Sequence, residues 1–343
     1  MKVVFILIIS FALLSCKTES IREFKQVVNL TDYRCVFSDK NQPLNTIIGM
    51  SIVDSILILQ HVNDEYNFSF VDVNSGKLLL RWGKTGRGPG EYVEVGSGFT
   101  VFESQLVFLD GANNEINYVP ISELLYSQDS LEVIKEPYPY TVDFRPIYID
   151  ILKDYKIAVG MFKESYFGIL DNQNNIVSSV FDYPFTYKGI DGIYRGMVYQ
   201  TRVKANREQN KFVILTMASD IFEIYECRNR EISKIYTSPF KHVPQVKNMG
   251  RRYIIDGDKS IIGFVNSSVT DEYIYFSYLD AKYDDVYKNG LASDEVLCFN
   301  WNGNKIKKYI LPFRIRSFCV DDNYIYGVSC ENDDMVVYKF DLQ

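Results

Sequence analysis

Asp54-Ser55-Ile56-Leu57-Ile58-Leu59 is a polar turn running into a short apolar strand, and the same pattern returns five times along the chain. The later copies are Ser104-Gln105-Leu106-Val107-Phe108-Leu109, Asp154-Tyr155-Lys156-Ile157-Ala158-Val159 and Asn210-Lys211-Phe212-Val213-Ile214-Leu215. Glu272-Tyr273-Ile274-Tyr275-Phe276-Ser277 and Asn323-Tyr324-Ile325-Tyr326-Gly327-Val328 complete the set. Leu57, Val107, Ile157, Val213, Tyr275 and Tyr326 hold equivalent places, at steps of 50, 50, 56, 62 and 51 residues. The strand after each copy also repeats. Phe68 to Lys77, Phe167 to Asn175 and Val296 to Lys305 all run from an apolar strand into an Asp- or Asn-rich turn.

A period near 50 residues with about four strands per period is the mark of a propeller blade. One blade alone leaves both faces exposed, whereas stacking blades around an axis buries them and leaves only short edges. Six anchors predict an all-β, six-bladed propeller of four-stranded antiparallel blades. The alternatives are a seven-bladed ring or a pair of β-sandwiches. The last repeat offers three clear strands, Ile315 to Val320, Tyr324 to Ser329 and Met335 to Leu342. It needs a fourth, and Phe24 to Leu30 is the expected donor, so that an N-terminal strand closes the last blade. Composition agrees: 15% of the 343 residues are aromatic, and aromatics suit pleated, half-buried surfaces.

The N-terminus carries a different signal. Met1-Lys2 precedes an apolar run from Val3 to Leu14 that ends in Ser15-Cys16. One positive charge before about a dozen apolar residues is a secretory leader. The run is shorter than the roughly 20 residues a membrane span requires. Leu13-Leu14-Ser15-Cys16 resembles a bacterial lipobox, which implies cleavage before Cys16 and lipid on that cysteine. The expected organisation is a leader over 1–15, a polar tether over 16–23 and one propeller domain over 24–343. The expected place is the cell envelope, exported and lipid-anchored, at the periplasmic or surface face of the outer membrane. Five cysteines remain, an odd number, with no C-x-x-C spacing. Free buried thiols are expected, and a hairpin at Asp321-Asp322-Asn323 would set Cys319 opposite Tyr326 rather than near Cys330.

Arg81-Trp82-Gly83-Lys84-Thr85-Gly86-Arg87-Gly88-Pro89-Gly90-Glu91-Tyr92 resembles the glycine loop of the TolB-like six-bladed propeller lipoproteins found in envelopes of Gram-negative anaerobes. Phe299-Asn300-Trp301-Asn302-Gly303-Asn304 is similar to that family's penultimate blade, and Ser317 to Leu342 to its closing blade. The resemblance implies a fold and a location, and no reaction.

Charge and motifs narrow the function. The formal charge is −7, and −8 without the leader's single lysine, which excludes a nucleic-acid binder working by broad phosphate neutralisation. Gly83-Lys84-Thr85 lacks the glycine a phosphate loop requires, since Leu78 stands there. No nucleophile motif, metal signature or cofactor motif is present, and only two histidines, His61 and His242, occur. The loop glycines Gly86, Gly88 and Gly90 are expected at positive φ, with Arg87 paired to Glu91 or offered at the rim as an anion contact.

Positions ten to twelve residues before each anchor should open on the axial funnel. Asn45, Ser97, Arg145, Arg202, Arg314 and Arg316 fall in this region, and arginines from several blades could there hold a carboxylate or phosphate. The long connections around Tyr183–Gln200 and Phe240–Ile262 add Tyr187, Tyr194, Arg195, His242, Arg251, Arg252 and Tyr253 as contacts for a sugar or peptide. The reading is an envelope binding module with no cofactor. Its partners are the membrane through Cys16, and an anionic small molecule, glycan, peptide or envelope protein. The alternatives are a hydrolase or lyase working in the axial cleft, and a structural part of an envelope assembly.

Overall fold

The computed structural model describes residues 20–40, 44–127, 129, 131–178, 183–185, 190, 192–228, 231–250, 252–331 and 334–342. Cys16, the leader, Tyr187 and Arg251 lie outside the described residues.

Two short strands come first, β1 (Val27–Asn29) and β2 (Tyr33–Ser38). Blade one is β3 (Ile47–Val53), β4 (Ile56–His61), β5 (Tyr66–Asp72) and β6 (Lys77–Lys84). Blade two is β7 (Val95–Phe102), β8 (Gln105–Asp110), β9 (Glu115–Pro120) and β10 (Ile134–Pro137), with helix α1 (Ile121–Tyr126) between the last two. Blade three is β11 (Phe144–Ile151), β12 (Lys156–Phe162), β13 (Gly168–Leu170) and β14 (Ile176–Ser178). Helix α2 (Ile193–Tyr199) leads into blade four: β15 (Thr201–Asn206), β16 (Lys211–Thr216), β17 (Ile221–Arg228) and β18 (Glu231–Thr237). A separate hairpin, β19 (Val246–Asn248) and β20 (Tyr253–Ile255), precedes blade five. That blade is β21 (Ile261–Val269), β22 (Tyr273–Lys282), β23 (Ser293–Asn300) and β24 (Lys305–Ile315), with helix α3 (Tyr283–Asn289) after β22. Blade six is β25 (Ser317–Val320), β26 (Tyr324–Glu331), β27 (Asp334–Asp341) and, from the other end of the chain, β2.

The six anchors fall on the second strand of the six blades, and each is at most 4% exposed. That burial is why the pattern is visible: the second strand is covered on both faces and reads as a continuous apolar run. Between blades, aromatic side chains interlock. Phe68 of blade one packs edge-on against Phe99 and tilted against Phe108 of blade two, with ring centres 5.6 and 5.2 Å apart. Phe222 of blade four meets Phe264, Phe276 and Phe299 of blade five at 4.7–5.6 Å. Such pairs add about 0.5–1.5 kcal/mol each beyond the area they bury.

The ring is latched, by a different strand from the one expected. β2 pairs antiparallel with β27, from Tyr33 opposite Phe340 to Ser38 opposite Val336. Val36 and Phe37 are buried there in a cluster that also holds Met50 and Val337. The expected donor, Phe24 to Leu30, supplies β1 instead, which adds to the outside of blade five in parallel with Lys308–Ile310. β1 and β2 thus occupy outer-edge places on neighbouring blades, and only the later segment reaches β27.

Ser20–Glu23, at the end of the expected tether, are docked. Ile21 is 2% exposed among Val213, Phe222 and Trp301. Arg22 clasps Glu295 at 2.6 Å and Asp280 at 3.0 Å, and Lys305 Nζ donates to the Ser20 carbonyl at 2.8 Å. Five cysteines among the described residues are free, and Cys319 stands opposite Tyr326 in the β25–β26 pair.

Candidate functional site

Each blade places its first strand at the axis, and the six strands β3, β7, β11, β15, β21 and β25 contact one another in succession around the ring. Crowding there demands small residues. A Cβ on Gly96 of β7 would lie 2.5 Å from the Ile147 carbonyl oxygen of β11, and one on Gly263 of β21 would lie 2.3 Å from the Ser219 carbonyl oxygen in a turn of blade four, to which the Gly263 N–H donates at 3.0 Å. The hole left along the axis has two chambers. The upper one, by the beginnings of the inner strands, is about 30 Å³ and is lined by Met50, Ser97, Phe99, Arg202, Lys204 and Phe318 among others. The lower one, by the strand ends, is about 280 Å³ and includes Thr100, Asp150, Lys204, Arg207 and Cys319. Met50 and Lys204 border both chambers and form the waist between them.

One strand supplies the positive charge. Side chains alternate along a strand, so Arg202 and Lys204 on β15 share the face turned to the axis, and Arg207 follows just past the strand's end. Arg207 is fully partnered. It donates from Nε to the Ile151 carbonyl at 2.9 Å and from Nη2 to Thr100 Oγ1 at 3.2 Å, and it lies 3.5 Å from Asp150. Asp150 is in turn saturated by Thr100 Oγ1 at 2.7 Å and by the N–H groups of Ala205 and Ile151 at 3.0 and 2.8 Å.

Arg202 and Lys204 have no such partner. No carboxylate lines the upper chamber, and among the described residues neither cation forms an ion pair. Arg202 directs Nε at the thioether of Met217, 3.2 Å away, and sulfur there is only a weak acceptor. Lys204 Nζ donates to Tyr148 Oη at 3.2 Å, and the Tyr148 hydroxyl donates onward to the Phe99 carbonyl at 3.2 Å. Both cations are half-buried by accessible surface, because they border the hole, although protein surrounds them on every side. That burial lowers both below their ordinary values. Asp150 pulls Lys204 back up, while Arg202 and Arg207 push it further down. Burial, then the nearby Asp150, lifts the Tyr148 phenol well above its ordinary value. Two desolvated cations with no carboxylate in ion-pair contact among the described residues are a costly arrangement in a protein whose overall charge is negative.

The arginines expected at the funnel separate. Arg202 lines it, and so does Ser97. Arg145 opens β11 opposite Met161, borders neither chamber and keeps its Nε buried without a partner. Arg314 is exposed at the end of β24, and Arg316 reaches toward Gly290 beyond α3. Asn45 is exposed and bound to the Asp64–Asn63 turn. Tyr194 and Arg195 sit on α2 above blade three, Tyr194 against the Tyr253 ring at 6.2 Å and Arg195 over the Tyr183 ring at 5.7 Å. The structure does not bring these residues into the channel. Lys204 and Arg207 complete the channel's charge. The alternation that places Arg202 on the axis also selects Lys204, two residues on.

The glycine loop is a corrected expectation in part. Positive φ occurs at Gly83 and Gly90, not at Gly86 or Gly88. Glu91 does not pair with Arg87, which is exposed. Its carboxylate folds into the loop, accepting the Gly88 N–H at 2.8 Å, and a Cβ on Gly86 would lie 2.0 Å from Glu91 Oε2. Gly86 therefore leaves room for the Glu91 carboxylate, and Gly90 supplies the positive φ.

A roomier cavity, about 920 Å³, is a wedge at the lower rim between blades three and four, where β13 and β14 are only three residues long. Its wall residue Asp171 is occupied by its own turn, accepting from Gln173 and Asn175.

A six-bladed ring with this loop can be set against known proteins. A family model described as TolB-like 6-blade propeller-like matches residues 18–323. The chain belongs to that TolB-like family. No curated protein matches it. Among solved structures it is similar to a protein described as exported from Bacteroides fragilis, at 14% identity and a TM-score of 0.58, over 93% of this chain and 99% of that one. It is similar also to a DUF4221 family member from Bacteroides vulgatus, at 10% identity and a TM-score of 0.54, over 92% and 97%. These likenesses extend to the fold.

Proposed function

We propose that this TolB-like ring is an exported, lipid-anchored binding module of the cell envelope whose ligand is an anion held in the axial channel. The observation that carries the reading is the pair Arg202 and Lys204, two cations bordering the channel with no carboxylate in ion-pair contact with either among the described residues. Uncompensated buried charge is destabilising, and a bound anion offsets it. Leader, lipobox and a solved neighbour described as exported support the location.

A thermal-shift screen against small anions, glycans and peptides tests the reading, because a ligand that binds the native state stabilises it by RT ln(1 + [L]/Kd). Anions should raise the melting temperature, and Arg202→Gln should remove the rise. A response confined to neutral glycans, unchanged in Arg202→Gln, would set the reading aside.

A further inference from the structure

We propose that the upper chamber is a carboxylate site, in which the Arg202 guanidinium and the Lys204 ammonium grip the two oxygens of a short organic acid or of a peptide C-terminus. This rests on the channel reading and goes beyond it in naming the group bound.

Three observations select a carboxylate. The first is place: the chamber is small, about 30 Å³, and lies against both cations, so it takes the charged end of a ligand rather than the whole of it. The second is the donor set. A guanidinium is a planar fork that matches a carboxylate, and Lys204 adds a point charge from two residues along the same strand face. Arg202 at present has only the Met217 sulfur as a partner for Nε, so an incoming oxygen replaces a weak acceptor. The third is the wall. Ile48, Met50, Phe99 and Phe318 surround the cations with apolar surface, which suits the carbon behind a carboxylate and gives a hydrated inorganic ion nothing. Asp150, below the waist, is taken up by Arg207, Thr100 and two backbone N–H groups, so it acts on Lys204 from a distance and leaves the upper pair without a contact anion.

The full chain in non-ionic detergent, at constant ionic strength, is titrated with acetate, propionate, chloride, phosphate, N-acetylglycine and N-acetylglycinamide while melting is followed. Acetate, propionate and N-acetylglycine should raise the melting temperature saturably, and the uncharged N-acetylglycinamide should not. A stronger response to N-acetylglycine than to propionate identifies a chain terminus as the source, and the reverse order a free acid. Arg202→Gln and Lys204→Met should each weaken the response at least tenfold, and Arg202→Lys should retain part of it. Either variant suffices if the other fails to fold. Chloride or phosphate responses equal to those of the carboxylates would overturn the carboxylate assignment while leaving the anion channel standing. Carboxylate responses unchanged in both variants, or no response to any anion, would overturn both.

Discussion

Replacing Lys204 with methionine should make the ligand-free protein more stable near neutral pH. The change keeps a linear side chain at the waist and removes its charge. The loss is one hydrogen bond to Tyr148, about 1 kcal/mol, and the phenol is not orphaned, since it still donates to the Phe99 carbonyl. The gain is relief of a like-charge contact. Two residues along a strand span roughly 7 Å, and unit charges at that distance repel by about 2 kcal/mol at an effective dielectric of 20. The variant also loses the attraction of Asp150, which cancels much of that relief, so release of the desolvation cost, the largest influence on Lys204, sets the sign, and the net is roughly 1–2 kcal/mol in favour of the variant. With about 2.1 cal/mol/K per residue, that is a rise of roughly 1–3 °C in melting temperature for a chain of this size. The sign with pH is fixed. Lys204 is lowered in the fold from its ordinary 10.5, so between the lowered value and 10.5 the unfolded chain holds more protons. Wild-type stability attributable to this group therefore rises with pH across that window. The advantage of the variant should be largest near pH 6 and shrink toward pH 10. Thermal melts of both proteins from pH 6 to 10 read the difference directly. A variant less stable at pH 6, or a difference that ignores pH, would refute the reasoning.

Three further outcomes follow from the fold. Phe37→Ala empties a buried position in the latch strand and should cost about 3 kcal/mol, read as a loss of denaturation midpoint with the slope unchanged. Gly263→Ala pushes a Cβ against the fixed Ser219 carbonyl and should cost about 2 kcal/mol by the same measurement, while Gly250→Ala, whose Cβ meets no atom within 4 Å, tests backbone conformation alone. Arg22→Ala should loosen the N-terminal clasp and speed proteolysis near Ser20. Burial opposes the charge on Glu295, but hydrogen bonds from Arg22 and Lys308 outweigh it and hold the carboxyl below its ordinary value. The clasp's contribution is then present above the ordinary carboxylate value and lost as pH falls through the lowered one, so wild type and variant should converge in acid.

The ring was legible because its information is local and repeated. Each anchor strand is buried on both faces, so Leu57 through Tyr326 stand out without any knowledge of their neighbours. The latch was not, because β2 carries a bulge between Cys35 and Phe37 and exposes Tyr33, Arg34 and Cys35, whereas Phe24 to Leu30 has the stronger apolar pattern. The funnel was half legible. Counting back from the anchors found Arg202 but overran blade six, whose inner strand is only four residues and begins after Arg316. Lys204 follows from alternation along β15, yet its lack of a counter-charge depends on Tyr148, Asp150 and Arg207, and on where the other inner strands bring their side chains. The glycine loop shows the same limit. Its turn was readable, while the folding of Glu91 into the space over Gly86 depends on three-dimensional fit.

The most direct measurement of the central claim is anomalous diffraction from crystals grown with 3-iodobenzoate. The account predicts an iodine peak at the upper mouth of the channel, with the carboxylate in the chamber and the Arg202 guanidinium turned from Met217 to meet it. Iodine found only in the wedge between blades three and four or elsewhere on the surface, with Arg202 still against Met217, would contradict it.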